Sequence, residues 1–134
     1  MIKNIMQFLA DNIDEVEYME DGTGGNIFDN VLPAEPDTAL MIESTGGASR
    51  DMRLMTYMEP SIRILVRGTE DPRPARWLAE DVIDVMGVLV NQDWDNWRVV
   101  KSQATQGHPV NIGRDGENRH RFSCNFELEV QRKE

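Results

Sequence analysis

The stretch SIRILVRGTEDPRPARWLAEDVIDVMGVL (residues 61–89) carries two hydrophobic periods in succession, and together they decide the fold class. From Ser61 to Arg67 the apolar Ile62, Ile64 and Val66 alternate with Arg63, Leu65 and Arg67, the period of two that a strand requires. Beyond Asp71 the period changes. Ala75, Leu78, Val82, Val85, Met86 and Leu89 recur at three- and four-residue steps, while Glu80, Asp81 and Asp84 fall on or near the other side. Asp71 is a good N-cap, and Pro72 and Pro74 suit a first turn whose N–H groups lack intrahelical partners. Trp77 projects on the polar side, about 140° from the centre of the apolar stripe. Either a loop of the same chain covers it, or it anchors a neighbouring subunit.

Upstream, Ile2, Ile5, Met6, Leu9 and Ile13 predict an amphipathic first helix over 2–13. A glycine-rich stretch, 20–25, leads to a short apolar run, Ile27 to Leu32, which Pro33 and Pro36 close. Strands are expected over 38–43 and 52–58, separated by a loop at Ser44-Thr45-Gly46-Gly47-Ala48-Ser49. Downstream, strands are expected over 97–102 and 119–130, with 107–118 between them and turn chemistry at Arg114-Asp115-Gly116. The last strand alternates without interruption through Phe122, Cys124, Phe126, Leu128 and Val130. At about 3.3 Å per residue it would span about 40 Å, so it should bend at a bulge or project beyond the body. The order α-β-β-β-β-α-β-β predicts an α+β fold in one domain, 1–134: a mostly antiparallel sheet with two helices packed on one face.

Composition narrows the function classes. The 134 residues carry 14 basic and 24 acidic side chains, a net charge of −10. A field of that sign repels phosphate backbones and anionic membrane surfaces. Aromatic and aliphatic content is too high for a disordered acidic chain. A single cysteine, Cys124, excludes an internal disulfide framework or a multi-cysteine zinc site, and its place on an apolar strand face makes it a small buried hydrophobe. No apolar run approaches the ~20 residues that span a bilayer, so a soluble, intracellular protein is expected.

Signatures of chemistry are lacking in the sequence. Gly22-Thr23-Gly24-Gly25 and Thr45-Gly46-Gly47-Ala48 have neither the spacing of a phosphate loop nor its Lys-Ser/Thr end. Asp93-Trp94-Asp95 starts like a calcium loop, but Trp97 and Arg98 stand where a ligand and a glycine belong, so a turn is expected. His108 and His120 have no suitably spaced acidic or cysteine companion. No catalytic residue, cofactor site or metal site is assigned, and the chain is read as a non-enzyme. What stands out is methionine: Met41, Met52, Met55 and Met58 crowd eighteen residues. Apolar side chains on both faces of 52–58 fit either a central strand or one that packs on another subunit.

With these features in place, the chain resembles a family of long-tailed bacteriophage proteins, often labelled minor capsid protein and akin to tail terminators. The residues that carry the resemblance are Val31-Leu32-Pro33, Thr38-Ala39-Leu40-Met41-Ile42, Gly46-Gly47, Ile62 to Gly68, Asp71-Pro72, and Ala75-Arg76-Trp77-Leu78-Ala79-Glu80-Asp81-Val82. The resemblance implies a structural virion protein at the tail–neck junction, assembled in the host cytoplasm. It implies a homo-oligomeric ring, usually a hexamer, that caps the tail tube and docks head-completion proteins while DNA passes through the lumen. No cofactor and no membrane are implied. The residues expected at subunit or partner interfaces are Arg50, Met52, Arg53, Met55, Tyr57, Trp77, His108, Arg114, Phe122 and Phe126. Two further readings stand beside it: a head-completion, neck or minor capsid protein of the same machine, and an acidic regulatory protein that mimics nucleic acid.

Overall fold

The computed structural model of the chain describes residues 1–20, 24–47 and 57–132. Helix α1 (Ile2–Asn12) is followed by strands β1 (Ile27–Asp29), β2 (Ala39–Gly47), β3 (Tyr57–Met58) and β4 (Pro60–Arg67), helix α2 (Pro72–Gly87), and strands β5 (Gln92–Trp94), β6 (Trp97–Ala104), β7 (Val110–Arg114) and β8 (His120–Arg132). The α+β class holds, with the sheet curled into an open half-barrel. Its order is β1-β2-β4-β8-β6-β5. Strand β1 runs parallel to β2, and the other pairings are antiparallel.

β8 is the spine of the sheet. One of its edges pairs with β4, from Arg67 opposite Arg121 to Ser61 opposite Glu127, and then with β3 at Met58 and Val130. Its other edge pairs with β6, from Trp97 opposite Arg132 to Ala104 opposite Phe126, and then with β7. The long strand therefore does not project. Both ends are paired, and irregular register falls on its partners, between Val99 and Lys101 and between Asn111 and Arg114.

The alternation seen in the sequence sorts the faces. Leu40 and Ile42 of β2, Ile62, Ile64 and Val66 of β4, and Phe122, Cys124, Phe126, Leu128 and Val130 of β8 join Ile5, Met6 and Leu9 of α1 and Ala75, Leu78, Ala79, Val82 and Met86 of α2 in one core. Burial pushes the Cys124 thiol up to about 12, and its Sγ donates weakly to the Ala79 carbonyl at 3.7 Å. This is the small buried hydrophobe expected.

Two expected boundaries moved. The predicted loop at 44–49 begins as strand: β2 continues to Gly47 across a register shift between Ser44 and Gly46. Gly46 and Gly47 take φ of 96° and 108°, which an L side chain rarely adopts, and a Cβ on Gly47 would collide with the Glu59 carbonyl and Ser61 nitrogen. The expected turn at Asp93–Asp95 is partly strand, because β5 pairs back on β6 with Trp94 opposite Trp97 and the chain reverses at Asp95 (φ 48°). Of the predicted strand 52–58, residues 52–56 lie outside the described residues and the rest forms β3.

Helix α2 starts as its sequence dictates. Asp71 accepts the Arg73 backbone N–H at 3.1 Å and holds the Arg73 guanidinium at 2.9–3.1 Å. These donors, the Arg73 side chain foremost, hold the Asp71 carboxyl down to about 2 from an ordinary 3.8. A depressed folded-state value means that the carboxylate's contribution is complete above the unfolded value and is lost as pH falls toward the folded one. Asp71→Ala is thus expected to lower the melting temperature at pH 5, and the gap to wild type should close between pH 4 and pH 2. A gap that stays constant over that range in thermal melts would contradict the assignment.

Candidate assembly surface

Among the described residues no group of three or more histidine, cysteine or acidic side chains is placed to hold a metal. None of the described helices is long and apolar enough to cross a membrane. On the sheet face away from the core, a polar groove of about 490 Å³ is lined by Glu59, Ser61, Lys101, Gln103, Glu127 and Glu129, with Lys101 Nζ 3.4 Å from Glu129. What the surface offers is unpaired strand and exposed apolar side chains.

The predicted interface residues divide into three groups. Arg50, Met52, Arg53 and Met55 lie outside the described residues. Tyr57, Trp77, His108 and Arg114 reach the surface. Tyr57, on β3, donates its hydroxyl to Glu59 at 2.7 Å; that hydrogen bond, ahead of burial, raises the phenol to about 12. Trp77 stands on the outside of α2 with 56% of its surface exposed, so no loop of the described chain covers it. His108 lies exposed in the bend between β6 and β7, which borders α2 at Glu80, Ile83 and Asp84. Arg114 ends β7 and donates to Asn118 Oδ1 at 2.8 Å across the hairpin tip.

Phe122 and Phe126 form the third group and require a correction. They are 4% and 1% exposed. Strand alternation turns both rings into the single core, and no side-chain surface is left for a second copy.

Two features went unforeseen. The first is β7 itself, within the stretch expected as loop and turn. Its five residues are all exposed, Val110 at 48% and Ile112 at 39%, and among the described residues no strand pairs with its outer edge. The second is a pair of buried arginines. Arg67 is 3% exposed, and its guanidinium donates to the carbonyls of Pro33 (2.6 Å), Pro36 (2.7 Å) and Asp37 (3.0 Å). Arg119 donates to Ala34 O at 2.6 Å and to Asp115 Oδ2 at 2.8 Å, with Asp37 Oδ1 at 3.3 Å. Together they clamp the 33–37 loop over the β4–β8 end of the sheet. Burial, then the neighbouring Arg119 charge, pulls the Arg67 pKa below the usual arginine value. Asp115, bonded by the Arg119 backbone N–H first and by Glu117 N–H and the Arg119 side chain, is held below the usual carboxylate range.

Comparison with known proteins bears on what such a surface serves. No curated protein matches the chain. A chain in the solved structure "Virion of native gene transfer agent (GTA) particle" matches at 13% identity with a TM-score of 0.62, covering 94% of this chain and 93% of its own length, a likeness of fold. The family described as bacteriophage tail terminator protein matches residues 11–132. That match takes in every strand and all of α2, so the chain belongs to the bacteriophage tail terminator family and is a structural protein of the virion.

Proposed function

We propose that this chain closes into a ring, a hexamer, that caps the finished tail tube, stops its growth and presents its other rim to the head-completion proteins. The observation that carries this reading is the exposed Trp77 on α2 together with the open edge of β7 on the same subunit. A cyclic ring is built from heterologous contacts, one patch against a different patch of the next copy, and such contacts favour a large aromatic anchor and free strand edges. In this reading both helices cover one face of the sheet, and Tyr57, Trp77, His108 and Arg114 meet neighbouring copies or partners. DNA passes the lumen without specific binding, because the net charge of −10 repels phosphate and lets the duplex slide.

Adding the purified protein to polymerising tail-tube subunits tests the capping role. Tubes measured by electron microscopy should stop lengthening when the ring is present, and tubes that keep growing would sink it. Trp77→Ala should leave the unfolding free energy of the single chain within about 0.5 kcal/mol. The same variant should raise the concentration needed for ring formation by about fivefold or more, read by light scattering.

A further inference from the structure

The sheet runs from β1 to β5, with β7 as a further edge strand on the β6 side of β8, and the β1 and β7 edges carry opposite charge. At one end stands β1. The segment before it is tied back, with Asn26 N–H donating to Glu17 O at 2.8 Å and Asn26 Nδ2 to Glu15 O at 2.7 Å. The side chains of Glu15 and Glu17 thus flank the start of β1, and Asp29 ends it. All three are exposed, and none forms an ion pair among the described residues.

On the far side of β8 from β4, continuing the edge that β6 occupies, lies β7. Helix α2 begins beside the start of β8, where Gly68 N–H donates to His120 O at 2.9 Å and His120 N–H to Thr69 O at 3.0 Å. Strand β7 runs from the bend beside Glu80, Ile83 and Asp84 back toward that same point, with Arg114 opposite His120. Arg76 precedes Glu80 and Ile83 by four and seven residues, so it shares the helix face that borders the bend leading into β7. Arg114 closes β7, and Arg121 lies beside it on β8, its Nη2 3.5 Å from the Arg114 carbonyl. Arg76, Arg114 and Arg121 have no carboxylate partner among the described residues.

An unpaired edge carrying valine and isoleucine, with no proline or inward charge to blunt it, is a template for another strand. One sequence supplies both a cationic edge and an anionic edge, each lacking its complement among the described residues, on opposite sides of β8. We propose that the outer edge of β7, flanked by Arg76, Arg114 and Arg121, seats the β1 edge of a second copy of this chain, flanked by Glu15, Glu17 and Asp29. The sheet then continues from subunit to subunit, and the contact is head-to-tail. This assignment rests on the ring reading above.

Two half-defective variants test it. Arg76→Glu/Arg114→Glu spoils the β7 edge and leaves the hairpin backbone untouched; Glu17→Lys/Asp29→Lys spoils the β1 edge. Each should fold by circular dichroism and, in sedimentation velocity, stay single at concentrations about tenfold above the wild-type assembly midpoint. An equimolar mixture should assemble again, because each intact edge finds its complement and the reversed Glu edge meets the reversed Lys edge. Ile112→Pro, which removes a β7 backbone donor and stiffens the edge, should by itself stay single as the first variant does. Mixed with Glu17→Lys/Asp29→Lys, it should instead stop at a one-to-one dimer. Dimers of Glu17→Lys/Asp29→Lys alone would mean that β7 pairs with β7 and would overturn the proposal, as would a mixture that stays single. Rings that persist in both variants would sink this seat and leave the ring reading standing. A wild-type chain that stays single up to the highest attainable concentration, with and without tube subunits, would sink both.

Discussion

Phe126→Ala should lower the stability of the isolated subunit by about 4 kcal/mol, a fall of about 15 °C in melting temperature. Phe126 is 1% exposed and sits at the middle of the spine strand, opposite Ile62 of β4 on one side and Ala104 of β6 on the other. Truncation removes the transfer free energy of the ring and leaves a cavity walled by the neighbouring strands and the rest of the core. A curled sheet paired on both edges of β8 has little freedom to collapse into that space, which places the cost toward the upper part of the usual range. Urea unfolding of the single chain, at concentrations below ring formation, measures the change. A loss under about 1 kcal/mol, accompanied by weakened assembly, would return Phe126 to the interface. The same core position explains why the strand's alternation was a sound guide to which side chains point together and a poor guide to what they meet.

Arg67→Ala is expected to cost about 3 kcal/mol. The guanidinium makes three hydrogen bonds to the carbonyls of Pro33, Pro36 and Asp37, and its burial means that they are made in a setting largely closed to water. Without it those acceptors must open to solvent or remain unpaired. Relief of repulsion from the adjacent Arg119 returns a little of the loss. Arg67→Lys keeps the charge but offers a single ammonium where a planar fork reaches three acceptors, so it should recover less than half. Denaturant titration gives the free energy, and limited proteolysis should show cleavage between residues 30 and 38 in both variants and not in wild type. Intact loop protection in Arg67→Ala would show that the clamp is redundant with Arg119.

How far the fold could be read depended on the range of the forces that make each element. α1, α2, β4 and most of β8 follow from periodicity within ten or fifteen residues, and their positions agree with the structure to within one or two residues. β7 has only five residues, with Asn111 and Gly113 among them, and Gly113 takes a φ of 95°. Its extended form comes from pairing with β8 and not from its own preferences. β5 likewise exists because Asp95 accepts a φ of 48° and turns the chain back on β6. On the surface, Trp77 was legible because a helix stripe fixes which residues face away. The Arg67–Arg119 clamp was not, because its acceptors are backbone carbonyls, and a carbonyl leaves no trace in residue identity. Alternation alone grouped Arg67 with Arg63, yet Arg63 pairs at the surface with Glu43 on the neighbouring strand while Arg67 is sealed beneath the 33–37 loop.

The place of β8 carries a consequence for how the molecule comes into being. Of the elements in the structure it is the last to leave the ribosome, yet β4 and β6 touch the sheet's middle only through it. Until the thirteen residues of β8 are free, the nascent chain holds two separate pieces of sheet, β1-β2-β4 and the β5-β6 hairpin, with the exposed borders of β4 and β6 waiting for one insertion. Closure is therefore a late event between distant parts of the chain, the slow kind of folding step. During translation each unfinished copy presents strand borders that a neighbouring nascent chain could fill instead. Timing of synthesis, as much as the energy of the finished sheet, then separates a supply of sound subunits from tangled ones.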